Sequence, residues 1–178
     1  MLEYEKAFDV NVKVLCRGRA PWKHILTKPI QPVFISAQII APVMLQQGHG
    51  AFINITRYCI TYNSCILITG CTRPRPGFAI YNASKAAVTV ATKTMALEYA
   101  PIIRFNCISP AVGDTTMLQA SIGNGKESRE RLRQVEDSLP MKRVCQPQDI
   151  ADAAWYLGTD QSSFVTGTTL EVDGGRGI

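Results

Sequence analysis

Tyr81 and Lys85 stand four residues apart in Tyr81-Asn82-Ala83-Ser84-Lys85. On a helix that spacing puts both side chains on one face, with the ammonium below the phenol ring. A free phenol titrates near ~10 and is a poor proton carrier at neutral pH. A cation beside it favours the phenolate and brings the group into the working range of a general acid–base catalyst. Such a tyrosine could exchange a proton with an oxygen whose carbon gains or loses hydride. The chain has six tyrosines, so the pair taken alone has chance as an equal explanation.

The elements that must position this pair alternate between helix and strand. Residues 33–47 are apolar and long enough for a helix, with Pro42 as a kink and Gly48-His49-Gly50 as its end. Residues 51–56 read as a buried strand, and the Ala-rich 81–99, free of Gly and Pro, as a helix. A second strand is expected from Ile102 to Ile108, stopped by Ser109-Pro110. A polar helix follows at 125–138. Asp149 opens another, with Ile150, Ala153, Ala154 and Leu157 on one face and Gly158 at its end. Residues 168–172 form the last strand. This alternation predicts an α/β fold: a partial, doubly wound Rossmann sheet of about three parallel strands with helices on both faces, in a single domain.

Composition excludes several other readings. The chain has 178 residues, 46% apolar and 19% charged, as expected of a globular domain. No apolar run approaches the ~18 residues of a membrane span, and the charged start Met1-Leu2-Glu3-Tyr4-Glu5-Lys6 has no apolar signal core. Six cysteines without a CxxC pair suggest reduced thiols and a cytoplasmic location. His24 and His49 have no ligand-like spacing, so no metal site is expected. The net charge of +5 comes from Arg17, Arg19, Lys23 and Lys28 within 14–32 and Arg57 within 57–68, segments that contain no acid. A local excess of this kind argues against a nucleic-acid surface.

The flanks of the pentad resemble the short-chain dehydrogenase/reductase family. Residues 73–77 (RPRPG), the YNASK pentad and Met95-Ala96-Leu97-Glu98 look like that family's active-site helix and its approach. Residues 104–111 (RFNCISPA) resemble its RxNxxxPG strand end, with Ala111 in place of the usual Gly. Residues 140–151 (PMKRVCQPQDIA) and 165–175 (VTGTTLEVDGG) resemble its C-terminal signatures, and Phe8-Asp9-Val10-Asn11-Val12-Lys13 the segment with its catalytic asparagine. The resemblance implies an oxidoreductase that uses NAD or NADP to interconvert a small-molecule secondary alcohol and a ketone. It makes Tyr81 the acid–base, Lys85 its partner and a holder of the nicotinamide ribose, Asn11 the holder of a relay water, and Gly113 and Thr115 contacts of the carboxamide. It also implies a homo-oligomer, because the helices at 33–47 and 81–99 commonly build subunit interfaces in the family.

The sequence departs from that pattern in three places. Counting back from Tyr81 by the family's usual spacing, the serine that polarises substrate falls on Ile68; counting forward from Asn54-Ile55-Thr56, it falls on Arg57. Thr56, Ser64 and Thr69 are the nearby hydroxyls, and loss of the serine is the simpler reading. Residues 14–32 and 57–68 each stand where the family has one residue. Both read as inserted, as unspliced intron sequence would be, with genuine surface loops as the alternative. Finally, no TGxxxGxG or GxGxxG loop occurs in the chain. Cys65-Ile66-Leu67-Ile68-Thr69-Gly70 imitates its entry, but Pro74 and Pro76 occupy the glycine positions and cannot offer N–H groups to pyrophosphate. The chain therefore reads as the C-terminal part of such an enzyme, with a catalytically inactive fragment acting through subunit association as the alternative.

Overall fold

The structure is a computed structural model that describes residues 22–56, 79–111, 113, 118–119, 122–123 and 126–177, with backbone alone at 22–29, 79, 81 and 126. Three strands, β1 (Gly50–Ile55), β2 (Ile103–Pro110) and β3 (Thr169–Val172), form one parallel sheet in the order β1-β2-β3. Gly50 pairs with Ile103 at one end of the β1–β2 ladder and Ile55 with Ile108 at the other. The connections are helical: α1 (Trp22–Gln47) precedes β1, α2 (Ala79–Glu98) lies between β1 and β2, and α3 (Lys126–Asp137) and α4 (Pro147–Gly158) lie between β2 and β3.

Alternation along the strands assigns the helices to faces. Phe52 and Phe105 point into a core shared with α1 and α2, where their rings stack with centroids 4.6 Å apart. Ile53 points the other way, toward Gly158 at the end of α4. The expected α/β sheet with helices on both faces is therefore present.

The α1–α2 layer rests on matched apolar stripes. Ile30, Val33, Ala37 and Ala41 of α1 recur at helical spacing and are buried together with Val88, Met95 and Ala96 of α2. Ala87 and Ala91 pack against the same core. A second, smaller cluster joins Leu132 and Val135 of α3 to Leu118, Leu139 and Val144.

Boundaries differ from expectation in three informative ways. The first helix begins at Trp22 rather than 33 and runs through Pro29, Pro32 and Pro42. Each interior proline removes a backbone hydrogen bond, but the apolar stripe continues upstream to Ile30, and its burial offsets the loss. Residues 22–32 of the segment read as inserted are thus helical, whereas 14–21 and 57–68 lie outside the described residues. The second strand continues through Pro110, which pairs with Val172 at the strand end, where the next bond is donated by Ala111 N–H to the Val172 carbonyl. The last long helix starts at Pro147, whose fixed φ suits a first helical position. Asp149, expected as its opener, sits one turn in and accepts the Gln146 backbone N–H at 2.7 Å.

Candidate active site

Helix α2 runs antiparallel to the strands. Its C-terminal end leads directly into the start of β2, with Ile103 N–H donating to the Tyr99 carbonyl. Its first turns therefore lie toward the carboxyl ends of the strands, where open α/β sheets bind ligands. The backbone of Tyr81 and the half-buried Lys85 fall in those turns. Residues 81, 85, 88 and 92 recur at i, i+4, i+7 and i+11, so the pair shares a stripe with Val88 and Thr92. Val88 is 2% exposed and Thr92 is 0% exposed. The stripe that carries the pair is the one the helix turns toward the protein interior.

Below the pair, polar contacts hold the helix. Thr89 Oγ1 donates to the Lys85 carbonyl at 3.2 Å, and Thr92 Oγ1 to the Val88 carbonyl at 2.8 Å. Asn54 Nδ2, from β1, donates to Thr92 Oγ1 at 2.9 Å. Asn82, beside Tyr81 in sequence, has a buried amide oxygen without a hydrogen-bond partner among the described residues.

The other expected site residues fare differently. Gly113 is held just beyond β2 by a parallel bridge to Cys145. Asn11 and Thr115 lie outside the described residues, as do Ser64 and Thr69. Thr56, a candidate stand-in for the serine, is 2% exposed, and its hydroxyl donates to the Ile108 carbonyl at 3.1 Å. Its proton is committed to extending the β1–β2 ladder, which its backbone N–H also does at 2.8 Å.

Beside the Gly113 bridge, a cavity of about 310 Å³ opens at the ends of β2 and β3, lined by Ala111, Leu139, Met141, Cys145, Leu170 and Val172. At its rim the Arg143 guanidinium grips Asp149 with two bonds of 2.6 and 2.8 Å. This pairing, helped by the Gln146 N–H, holds the Asp149 carboxyl well below the usual carboxylate range and raises the Arg143 pKa. Burial, then the nearby Asp149 carboxylate, pushes the Cys145 thiol up, so it remains protonated at neutral pH. Among the described residues no group of His, Cys, Asp and Glu could hold a metal ion.

The RFNCISPA segment fastens the opposite face of the sheet. Arg104 donates to the carbonyls of Leu157, Thr159 and Val165 and to Ser162 Oγ, at 2.9–3.2 Å. The fully buried Asn106 donates to the Val165 carbonyl at 2.8 Å and accepts the Thr168 N–H at 3.1 Å. These two side chains tie β2 to the end of α4 and to the approach of β3. Their task is support, and it explains why an arginine and an asparagine alternate in an otherwise apolar strand.

This arrangement matches known proteins. A family model described as enoyl-(acyl carrier protein) reductase matches residues 7–176. The chain is 37% identical over 150 residues to 4-formylbenzenesulfonate dehydrogenase of Comamonas testosteroni, covering 84% of this chain and 55% of that protein. It is similar to ligand-free aldohexose dehydrogenase of Thermoplasma acidophilum, with a TM-score of 0.73, 28% identity, and coverage of 87% and 58% of the two chains. It is similar also to 3-ketoacyl-(acyl-carrier-protein) reductase of Brucella melitensis complexed with NADH, with a TM-score of 0.68, 31% identity, and coverage of 88% and 58%. The chain belongs to the short-chain dehydrogenase/reductase family, a family of Rossmann-type oxidoreductases. It spans about half the length of the curated relatives it matches. Among the described residues no helix is long and apolar enough to cross a membrane.

Proposed function

We propose that this chain is the substrate-side part of an NAD(P)-dependent oxidoreductase that interconverts a secondary alcohol and a ketone. The observation that supports the reading is the i, i+4 spacing of Tyr81 and Lys85 in the first turns of α2, nearest the carboxyl ends of the strands and in helical phase with the buried Val88 and Thr92. Tyr81 gives its phenolic proton to the substrate oxygen in reduction and takes it back in oxidation. Lys85 stabilises the phenolate between these events, which keeps the group usable at neutral pH. Asn11, by family resemblance, holds the water through which the proton is replenished.

The donor set suits the nicotinamide half of a dinucleotide. Lys85 offers N–H donors for ribose hydroxyls, and Gly113 offers backbone without a side chain just past β2; Thr115 completes the set by resemblance. A bound nicotinamide would supply or accept the hydride. The neighbour complexed with NADH supports this cofactor class. A homo-oligomer is part of the proposal, supported by exposed Ile39 and Val43 on α1 and Val90 and Leu97 on α2. The same apolar surface favours a second reading, a non-catalytic fragment that acts only by association.

Titrating the chain with NADH and NADPH, followed by nicotinamide fluorescence, separates the two. The 178 residues hold no glycine phosphate loop, and that loop anchors the pyrophosphate in Rossmann folds. The expected result is saturable binding weaker than micromolar that disappears in Lys85→Ala. Absence of any saturation, or binding indifferent to Lys85, would leave the non-catalytic reading.

A further inference from the structure

We infer that Asn54, through its hydrogen bond to Thr92, is the positioning residue that sets where the Tyr81–Lys85 end of α2 stands relative to the carboxyl ends of the strands. The inference rests on the functional reading above.

Helix α2 meets β2 and α1 mainly through apolar groups: Val88, Met95 and Ala96, with Ala87 and Ala91 beside them. Apolar burial is non-directional and tolerates small slides and rotations of a helix. A hydrogen bond does not, because it weakens steeply with distance and angle. Asn54 lies one residue from the end of β1 and is in register with Cys107 of β2, so its backbone is fixed by the sheet. Its Nδ2 meets Thr92 Oγ1 at 2.9 Å, and the Thr92 hydroxyl spends its proton on the Val88 carbonyl at 2.8 Å. The threonine oxygen can therefore only accept from Asn54, which gives the contact one polarity and one geometry.

This side-chain hydrogen bond ties β1 directly to α2. Thr92 is fully buried, so water cannot substitute for Asn54. From Thr92 the stripe runs through Val88 and Lys85 to Tyr81, and a helix is stiff over that length. A shift at Thr92 is thus carried to the proton-transfer end, where a misplacement of about 1 Å can cost ~10²-fold in rate. Asn54 and Thr92 touch neither substrate nor cofactor; they act through the helix.

The test is the titration of Tyr81 in the full chain, read by NMR of tyrosines labelled with carbon-13 at Cζ and assigned with Tyr81→Phe. Four proteins are compared: the unaltered chain, Thr92→Val, Thr92→Ser, and the double variant Asn54→Leu/Thr92→Val, which leaves no orphaned amide. Thr94→Val, which removes a hydroxyl bonded only within the helix, is the control. The expected result is a Tyr81 midpoint below those of the other tyrosines in the unaltered chain. It rises by about one pH unit in Thr92→Val and in the double variant, and stays in place in Thr92→Ser and Thr94→Val, with cooperative thermal melting in all. A low midpoint that none of the variants moves would overturn the positioning role and leave the functional reading standing. A Tyr81 that titrates like the other tyrosines in the unaltered chain would overturn the functional reading and this inference together.

Discussion

The two faces of the sheet are fastened to their helices in different ways. On the α4 face, Arg104 and Asn106 make six hydrogen bonds to the end of α4, the turn after it and the approach of β3. On the α1–α2 face, apolar stripes do most of the holding, and the bond from Asn54 to Thr92 supplies direction. The polar face is over-determined and has little freedom to shift. The apolar face holds more binding area but less positional information, and it is the face that carries Tyr81 and Lys85. Rigidity and chemistry are thus on opposite sides of one sheet, with β2 contributing to both.

The largest expected effect breaks the apolar side. Phe105 is 1% exposed, stacks on Phe52 and lies 5.3 Å from the Tyr99 ring. Phe105→Ala should cost about 3–5 kcal/mol, a large part of the stability of a small domain. Denaturant unfolding would show it as a lower midpoint at similar slope. Next comes the polar side: Arg104→Met keeps much of the stem but removes the donor of four hydrogen bonds to Leu157, Thr159, Ser162 and Val165. A loss of roughly 2–3 kcal/mol is expected, with Arg104→Lys recovering only part, since one ammonium cannot reproduce the planar fork. If Arg104→Met were neutral while Phe105→Ala was costly, the polar face would not be the over-determined one.

The smallest effect is at the cavity rim. The Asp149 carboxyl is held low by Arg143, so its folded-state pKa lies below its unfolded value. Its contribution is present above about pH 4 and fades as the pH falls toward the depressed folded value. The pair is solvent-exposed, so the contribution is small. Asp149→Asn should melt slightly below the unaltered chain at pH 7, with the gap closing on acidification. A gap that widens in acid would mean the pair is not what lowers the carboxyl.

Much of this organisation was legible in the sequence. Period and punctuation placed the three strands, α2 and α4 to within two residues, because each is bounded by glycine, proline or a polar break. The start of α1 was not legible, since three prolines argue against helix locally and only the burial of Ile30 by α2 overrides them. At the site, the i, i+4 pair was readable because helical periodicity is local. Asn54 was missed, although a signal existed: an amide within the apolar run Phe52-Ile53-Asn54-Ile55 must find a partner when buried. Which partner it finds depends on how α2 lies against the sheet, and spacing along the chain does not encode that. The roles of Arg104 and Asn106 were hidden for the same reason, since their partners lie more than fifty residues downstream.

The central claim is that Tyr81 moves the proton. It is tested most directly by reduction of a ketone panel at millimolar NADH or NADPH, comparing the unaltered chain with Tyr81→Phe and following consumption of the reduced nicotinamide. The account predicts a fall in turnover of about 10²–10⁴-fold with an unchanged melting transition. Turnover retained in Tyr81→Phe at neutral pH would contradict it.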